Sequence, residues 1–376
     1  MPNPNAFIAP VRGLAPAYDA AQIRRAEVDI TVSLDGLPPL RLDPKDPRTP
    51  AYAEVLESLR QRSGLVYAET DPSTGRIQRL LLPRLGRVLS AERDTAGDLA
   101  LSLDHSHARL RLPAGHGDFA AFEGVLREAL LSRAPVLVTV DDRLGVIDIR
   151  LPLPGWPLPP LLPPFPDVPP PREPSFLRWL IERFWLIWRW PWWPWWWFGC
   201  LSLSRANQVF AQMQATSCAP LTTPAPCIPF LYPDDGCFAR AHEMCRLMIA
   251  MGLEPQKVWI RGRLRTPTRN HPACHVLWGW HVAPTLCVRG NWFWMRQTVV
   301  IDPSLFAGPV SKTTWKSVQG DPSATLDDTS PEPYFHVGGD VFDPGYTMTQ
   351  QHLIEYRTEL RLRSINQGPP PYANCP

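Results

Sequence analysis

Asp235-Gly236-Cys237-Phe238-Ala239-Arg240-Ala241-His242 is the stretch around which the chain is organised. Pro233, Asp234 and Asp235 are turn and N-cap residue types. After them Phe238, Ala241, Cys245, Met248 and Ile249 recur at helical spacing, and Gly252 supplies a stop. The pattern predicts a helix with Cys237 in its first turn. A helix N-terminus carries unpaired N–H groups and partial positive charge, and both stabilise a thiolate. The position suits a nucleophile. It equally suits an inert buried cysteine, because free cysteine is among the most buried residue types.

Two stretches downstream decide between these readings. A nucleophilic cysteine needs a base, and the base needs an orienting partner. Trp278-Gly279-Trp280-His281-Val282-Ala283 reads as a strand carrying one histidine. Gln297 to Phe306 reads as a strand that ends in an aspartate, with Asp302 on the face opposite Ile301. Helix Cys, strand His, strand-end Asp is the chain order of papain-like and transglutaminase-like sites. The runs DGCFARAHEMCRLM (235–248), WGWHVAP (278–284) and VVIDPSLF (299–306), with GPV and Trp315 shortly after, resemble the bacterial protein-glutaminase family. The resemblance covers roughly residues 200–376 and is strongest over 235–306. It implies a papain/transglutaminase-like α+β catalytic domain, a Cys237–His281–Asp302 catalytic triad, a protein substrate with an accessible glutamine, and neither metal nor cofactor.

On this reading His281 takes the Cys237 proton, and the thiolate attacks a glutamine carboxamide. The Cys237 backbone N–H serves as an oxyanion donor, and Asp302 fixes the imidazole. Trp278 and Trp280 flank the base. They read as a water-excluding substrate wall or as core, and core suits at least one of them. The triad alone does not separate a deamidase from a cysteine peptidase or a transglutaminase, since all pass through a thioacyl enzyme. Only the resemblance selects deamidation, either general or as an effector aimed at one host protein. A rival reading takes His242, Cys245, His271 and Cys274, with His275 adjacent, as ligands of a structural zinc in a non-catalytic interaction module.

The 376 residues suggest two domains. A net charge of +2 and the lack of a long basic run argue against a nucleic-acid partner. Residues 1–151 read as a small α+β domain. Strands are expected over Glu27–Leu34, Leu65–Tyr67, Leu80–Leu82, Leu99–Leu103, Leu110–Leu112, Val136–Val140 and Val146–Ile149, and helices over Tyr52–Leu59 and Phe119–Leu131. His105, His107 and His116 read as solvated loop histidines. The domain is either an inhibitory pro-region or a targeting module.

Residues 152–199 form a linker, proline-rich and then tryptophan-rich. Its 152–174 part holds 12 prolines and should run as polyproline II. Its 176–198 part holds nine tryptophans. Residues such as Trp192 and Trp196 make a membrane surface a candidate partner there. Residues 200–376 form the catalytic domain, with helices expected over Ser204–Gln214 and Gln351–Ser364. All eight cysteines fall in this half, and if Cys237 stays free they cannot all pair. One or two disulfides are expected near Cys200, Cys218 and Cys227. The N-terminus lacks the basic and apolar regions of a secretory signal, which points to a cytoplasmic protein or a signal-independent export route.

Overall fold

The computed structural model describes residues 4–17, 19, 29–104, 106–156, 158, 200–223, 225–290 and 296–376. The tryptophan-rich segment, its expected membrane contact and most of the proline-rich run lie outside those residues. Among the described residues no helix is long and apolar enough to cross a membrane.

The N-terminal half is built twice from one pattern. In the first unit β1 (Ala6–Ala15), β2 (Ile30–Leu34), β3 (Leu40–Leu42), α1 (Thr49–Gln61), β4 (Leu65–Thr70) and β5 (Ile77–Leu81) form an antiparallel sheet of order β3-β2-β1-β4-β5. In the second, β6 (Arg84–Arg93), β7 (Leu99–Leu103), β8 (Leu110–Leu112), α2 (Phe119–Ser132), β9 (Pro135–Val140) and β10 (Val146–Arg150) repeat it as β8-β7-β6-β9-β10. The repeat is visible in sequence once the folds are superposed in order. Asp29-Ile30-Thr31-Val32-Ser33-Leu34-Asp35 answers Asp98-Leu99-Ala100-Leu101-Ser102-Leu103-Asp104, and Leu40-Arg41-Leu42 answers Leu110-Arg111-Leu112. Each helix lays its apolar stripe on its own sheet: Tyr52, Leu56 and Leu59 in one core, Phe122, Leu126 and Ala129 in the other. The turn between β2 and β3 is closed by Asp35 to Pro39. The matching β7–β8 loop, Asp104 to Arg109, is one residue longer, and that loop reaches the other half of the molecule.

Three strands of this half escape the sequence reading, the three-residue β3 among them. β1 is broken in pattern by Pro10 and Gly13, and β6 carries arginines where a core strand normally carries apolar residues. Arg84 is buried all the same, because it crosses into the C-terminal half and donates to the Tyr232 hydroxyl at 2.7 Å.

The C-terminal half holds α3 (Leu203–Ala215), α4 (Cys237–Ala250), β11 (Gln256–Pro267), β12 (His275–Arg289), β13 (Arg296–Val300), β14 (Val310–Ser311), α5 (Lys312–Ser317), β15 (Thr325–Thr329), β16 (Pro333–His336), β17 (Asp340–Phe342) and α6 (Thr347–Gln367). Its five-stranded antiparallel sheet runs β14-β13-β12-β11-β15. α4 packs on one face through Phe238, Ala241, Met244 and Met248, together with Trp280, Val282 and Leu286 of β12. Val258, Ile260, Trp278, Val300 and Trp315 fill the other face. The chain is thus an α+β protein.

The expected Asp strand is shorter than read. β13 ends at Val300, and Asp302 sits in the turn that follows, where its carbonyl accepts from the N–H groups of Leu305 and Phe306. Pro303 has no N–H to continue a ladder. α6 extends beyond both expected ends. Ile354 is exposed, whereas Arg357, Glu359, Arg361 and Arg363 are buried because this helix lies between the two halves. Arg361 pairs with Glu54, Asn366 donates to the Leu80 carbonyl at 3.1 Å, and Leu362 joins the core of the first N-terminal unit.

Three disulfides form rather than one or two: Cys200–Cys287, Cys218–Cys227 and Cys274–Cys375. Cys237 and Cys245 are free and buried.

Candidate active site

α4 delivers Cys237, and its start departs from the sequence expectation in a telling way. The N-cap is Gly236, in the left-handed conformation at φ +82°, with no side-chain cap. A Cβ there would lie 2.3 Å from the Tyr356 ring, so both conformation and space demand glycine. Asp235 is therefore free of the capping role. It accepts instead from the Gly236 N–H at 2.8 Å and from the Ser106 hydroxyl.

His281 reaches the site from β12 and Asp302 from the turn after β13. His281 Nε2 donates to Asp302 Oδ2 at 2.9 Å. Trp315 Nε1 donates to the same oxygen at 2.9 Å, and the Ser304 backbone and hydroxyl hold Oδ1. These donors favour the carboxylate, and with the adjacent imidazole they keep Asp302 below the ordinary aspartate range despite burial. Trp278 lies 17° from parallel with the His281 ring, 4.5 Å between centroids, and Trp315 lies 25° from parallel at 5.4 Å. Nδ1 of His281 is buried without a hydrogen-bond partner. With Nε2 committed to Asp302, Nδ1 is the nitrogen available to Cys237.

Cys237, His281 and Asp302 are each about 98–99 % buried. Burial raises the Cys237 thiol well above its ordinary range and lowers His281. The pair therefore rests as neutral thiol and neutral imidazole in this closed arrangement. An imidazole nitrogen facing a thiol can take its proton, and a carboxylate behind the ring stabilises the cation that forms.

Trp278 and Trp280 take different positions. Trp278 is fully buried in the core on the far face of the sheet, and Trp280 packs with Phe238, Trp259 and Phe335 on the α4 face. Their separation across the sheet goes with the register shift between Arg261 and Leu264 in the facing strand.

The reading of His107 as a solvated loop histidine is overturned. His107 is buried against Trp278, Trp280 and His281, with centroids 5.0, 5.5 and 5.8 Å away. Its loop adds to β12 as an extra edge. The Gly279 N–H donates to the His107 carbonyl and the Arg109 N–H to the Leu277 carbonyl, each at 2.9 Å, around an antiparallel bridge of Ala108 to Trp278. β13 pairs only with residues 285–289 of β12, which leaves 277–279 open for this addition. No local signal announces it, since a His-Ser-His loop between two strands has the composition of a solvated turn. His116 stays apart, packing on Phe122.

The alternative zinc set is not brought together. Cys274 is bonded to Cys375. Both ring nitrogens of His242 are occupied, Nδ1 by Lys257 Nζ at 2.9 Å and Nε2 by the Asp343 carbonyl at 3.3 Å.

A glutamine-deamidase family model described as "Glutaminase" matches residues 206–319, the span holding all three candidate residues. The C-terminal half is similar to that family over this span. No curated protein matches the chain. Among solved structures it is similar to a crystal structure of pro-protein-glutaminase, at 19% identity over 79% of this chain and 99% of that one, with a TM-score of 0.49. It is also similar to a crystal structure of protein-glutaminase at 29% identity over 42% of this chain and 89% of that one, TM-score 0.38. A third is the NMR structure of protein-glutaminase from Chryseobacterium proteolyticum, at 28% identity over 47% and 97%, TM-score 0.36.

Proposed function

We propose that this protein-glutaminase half hydrolyses the side-chain amide of protein-bound glutamine to glutamate through a Cys237–His281–Asp302 triad, and that the N-terminal half holds the site shut. The observation that carries the chemistry is the bond from His281 Nε2 to Asp302, which leaves the opposite ring nitrogen for Cys237.

His281 Nδ1 takes the Cys237 proton, and the thiolate sulfur bonds to the carboxamide carbon. The carbonyl becomes an oxyanion, for which the Cys237 backbone N–H is a donor. The oxyanion collapses, the C–N bond breaks, and the imidazolium gives its proton to the departing nitrogen as ammonia. Water, losing a proton to His281, then attacks the thioester. The C–S bond breaks, glutamate leaves, and the resting pair is restored. Trp278, stacked on the His281 ring, forms the dry wall behind the base.

The inhibitory role of the N-terminal half is supported by the β7–β8 loop, which fills the approach to Cys237. A peptide substrate would need the same edge of β12 that this loop occupies. Burial of the thiol and the base as neutral groups fits a silent resting enzyme, and removal of the loop would rehydrate them toward the reactive ion pair.

The test is ammonia release from casein by the full chain, by the full chain cut within the 152–199 linker, and by Cys237→Ala of each. Mass spectrometry follows glutamine-to-glutamate conversion. The expected result is little ammonia before the cut, strong release after it, and none from either variant. New peptide termini without ammonia would mean a peptidase, and lysine crosslinks would mean a transglutaminase. Equal activity before and after cutting would remove the inhibitory role.

A further inference from the structure

We propose that the closed chain holds one zinc ion between its two halves, on His107 Nε2, Cys237 Sγ and His281 Nδ1. One ring nitrogen of each histidine and the Cys237 sulfur all lie within 4.8 Å of one another, all three residues buried. His107 Nε2 and His281 Nδ1 are buried polar atoms without a hydrogen-bond partner. Buried polar groups in native structures are normally satisfied, and two orphans converging on one thiol call for a partner.

The surroundings of the two rings are those of metal ligands. A ligating histidine donates its other N–H to a carboxylate or a backbone carbonyl, which fixes the tautomer and aims the lone pair. His281 gives Nε2–H to Asp302, itself held by Trp315 and Ser304. His107 gives Nδ1–H to the Trp280 carbonyl at 3.1 Å. Both lone pairs are thereby left on the nitrogens that lack partners. Asp235 stands beside this set, its Oδ1 3.6 Å from His107 Nε2, and already accepts from Gly236.

Two imidazoles and a thiolate form a borderline-soft set that suits zinc, with water as a fourth ligand. Zinc bonds of about 2.0–2.3 Å put tetrahedral ligand atoms roughly 3.3–3.8 Å apart, so the three atoms close on the ion by shifts of about an ångström. Binding replaces the thiol proton by the metal and releases that proton to solvent. His107 comes from the N-terminal half and the other two ligands from the C-terminal half. The ion therefore binds only the docked state and stabilises it by mass action. The coordination stands on this geometry alone. Its consequence, a silenced nucleophile, rests on the proposed role of Cys237.

The experiment uses the untagged full chain, stripped with a chelator and titrated with cobalt(II), which reports thiolate ligation by near-ultraviolet charge transfer and tetrahedral geometry by visible bands. One cobalt per chain, displaced by zinc, is expected. His107→Gln and Cys237→Ser should each abolish the charge-transfer band, whereas His116→Ala should leave it intact. Loss of an outer-shell partner alone weakens metal binding about 10–100-fold, so His107→Gln should weaken it by more than about 100-fold. Circular dichroism of each variant confirms folding, and His107→Cys, which supplies a thiolate at the same place, should restore binding. Absence of stoichiometric cobalt in the full chain, or binding that survives His107→Gln, would overturn the inference. Ammonia release by the linker-cut chain, and its loss in Cys237→Ala, tests the amidohydrolase reading separately.

Discussion

The His107 ring lies 23° from parallel with the His281 ring, 5.8 Å between centroids. One belongs to the N-terminal half and the other to the candidate triad. The same loop pairs with β12, and Ser106 holds Asp235, two residues before Cys237. The proposed inhibitory role predicts that docking of this loop controls access to the thiol. Alkylation of Cys237 by iodoacetamide, followed by mass spectrometry, should be slow in the full chain. It should rise at least roughly tenfold once the linker is cut or the loop is loosened by Ser106→Ala with His107→Gly, since reaction then no longer waits for local opening. Equal rates in all forms would mean that the loop does not guard the thiol.

Asp302 should matter through the ring it orients. Asp302→Asn keeps the shape but no longer favours the Nε2–H tautomer, and kcat of the cut enzyme should fall roughly 10³–10⁴-fold with little change in KM. Trp315→Phe keeps the stack on His281 and removes one donor to Asp302. Its effect should be smaller, about tenfold. Steady-state ammonia release measures both. A Trp315→Phe loss as large as that of Asp302→Asn would assign the indole more than support of the carboxylate.

The α+β class and the order of the three candidate residues were legible because each rests on short-range pattern. Phe238, Ala241 and Met248 keep helical period, and Val282 keeps a strand going after His281. What was illegible depends on contact between distant segments. Arg84 looks like a surface residue until Tyr232 and Asp235 are known to surround it. Gly236 looks like part of a turn, and its need to be glycine comes from Tyr356, 120 positions later. His107 lies in a loop whose composition promises water, and its burial is set by an open edge of β12. The doubling of the N-terminal half was readable in principle, from Asp29–Asp35 against Asp98–Asp104, but the pairing persuades only when both stretches are known to be the second strand of a unit.

Acid should loosen the fold through two buried histidines. Burial holds His242, which faces Lys257 and the Asp343 carbonyl, at about 4, and holds His271, beside Asp234, Arg363, His275 and Asp141, at about 4. The unfolded residues titrate near 6.5. Between about 6.5 and 4 the two unfolded histidines take up protons that the folded rings refuse, so their contribution to stability is fully present above that window and is lost as pH falls through it. Each histidine contributes roughly 1.4 kcal/mol per pH unit in the window. Urea midpoints measured from about pH 7.5 down to about pH 4.5 should fall steeply below about 6.5. A flat profile would mean that these rings are charged in the folded state.

The disulfides should contribute unequally. Cys200–Cys287 and Cys274–Cys375 close loops of 87 and 101 residues, Cys218–Cys227 a loop of nine. Chain entropy assigns the two long loops about 4–5 kcal/mol each and the short one distinctly less. Paired serine substitutions should lower the melting temperature in that order, and reductant should have no further effect on a variant lacking all three.

The start of α4 offers the sharpest structural test. Gly236→Ala adds one methyl group at φ +82°, a conformation in which a side chain costs about 1 kcal/mol. That methyl would meet Tyr356 Cδ2 at 2.3 Å, and Tyr356 is buried against Phe238 and Tyr232, so the ring cannot swing clear. Overpacking of this kind costs about 1–3 kcal/mol. The sum is a loss of about 2–4 kcal/mol. The strain falls one residue from Cys237, so kcat should drop together with the melting temperature. Tyr356→Ala combined with Gly236→Ala opens the space, and should recover the overlap part of the activity loss while lowering stability further. Recovery would tie the cysteine's position to this glycine–tyrosine contact, and an unchanged kcat in Gly236→Ala alone would sever it.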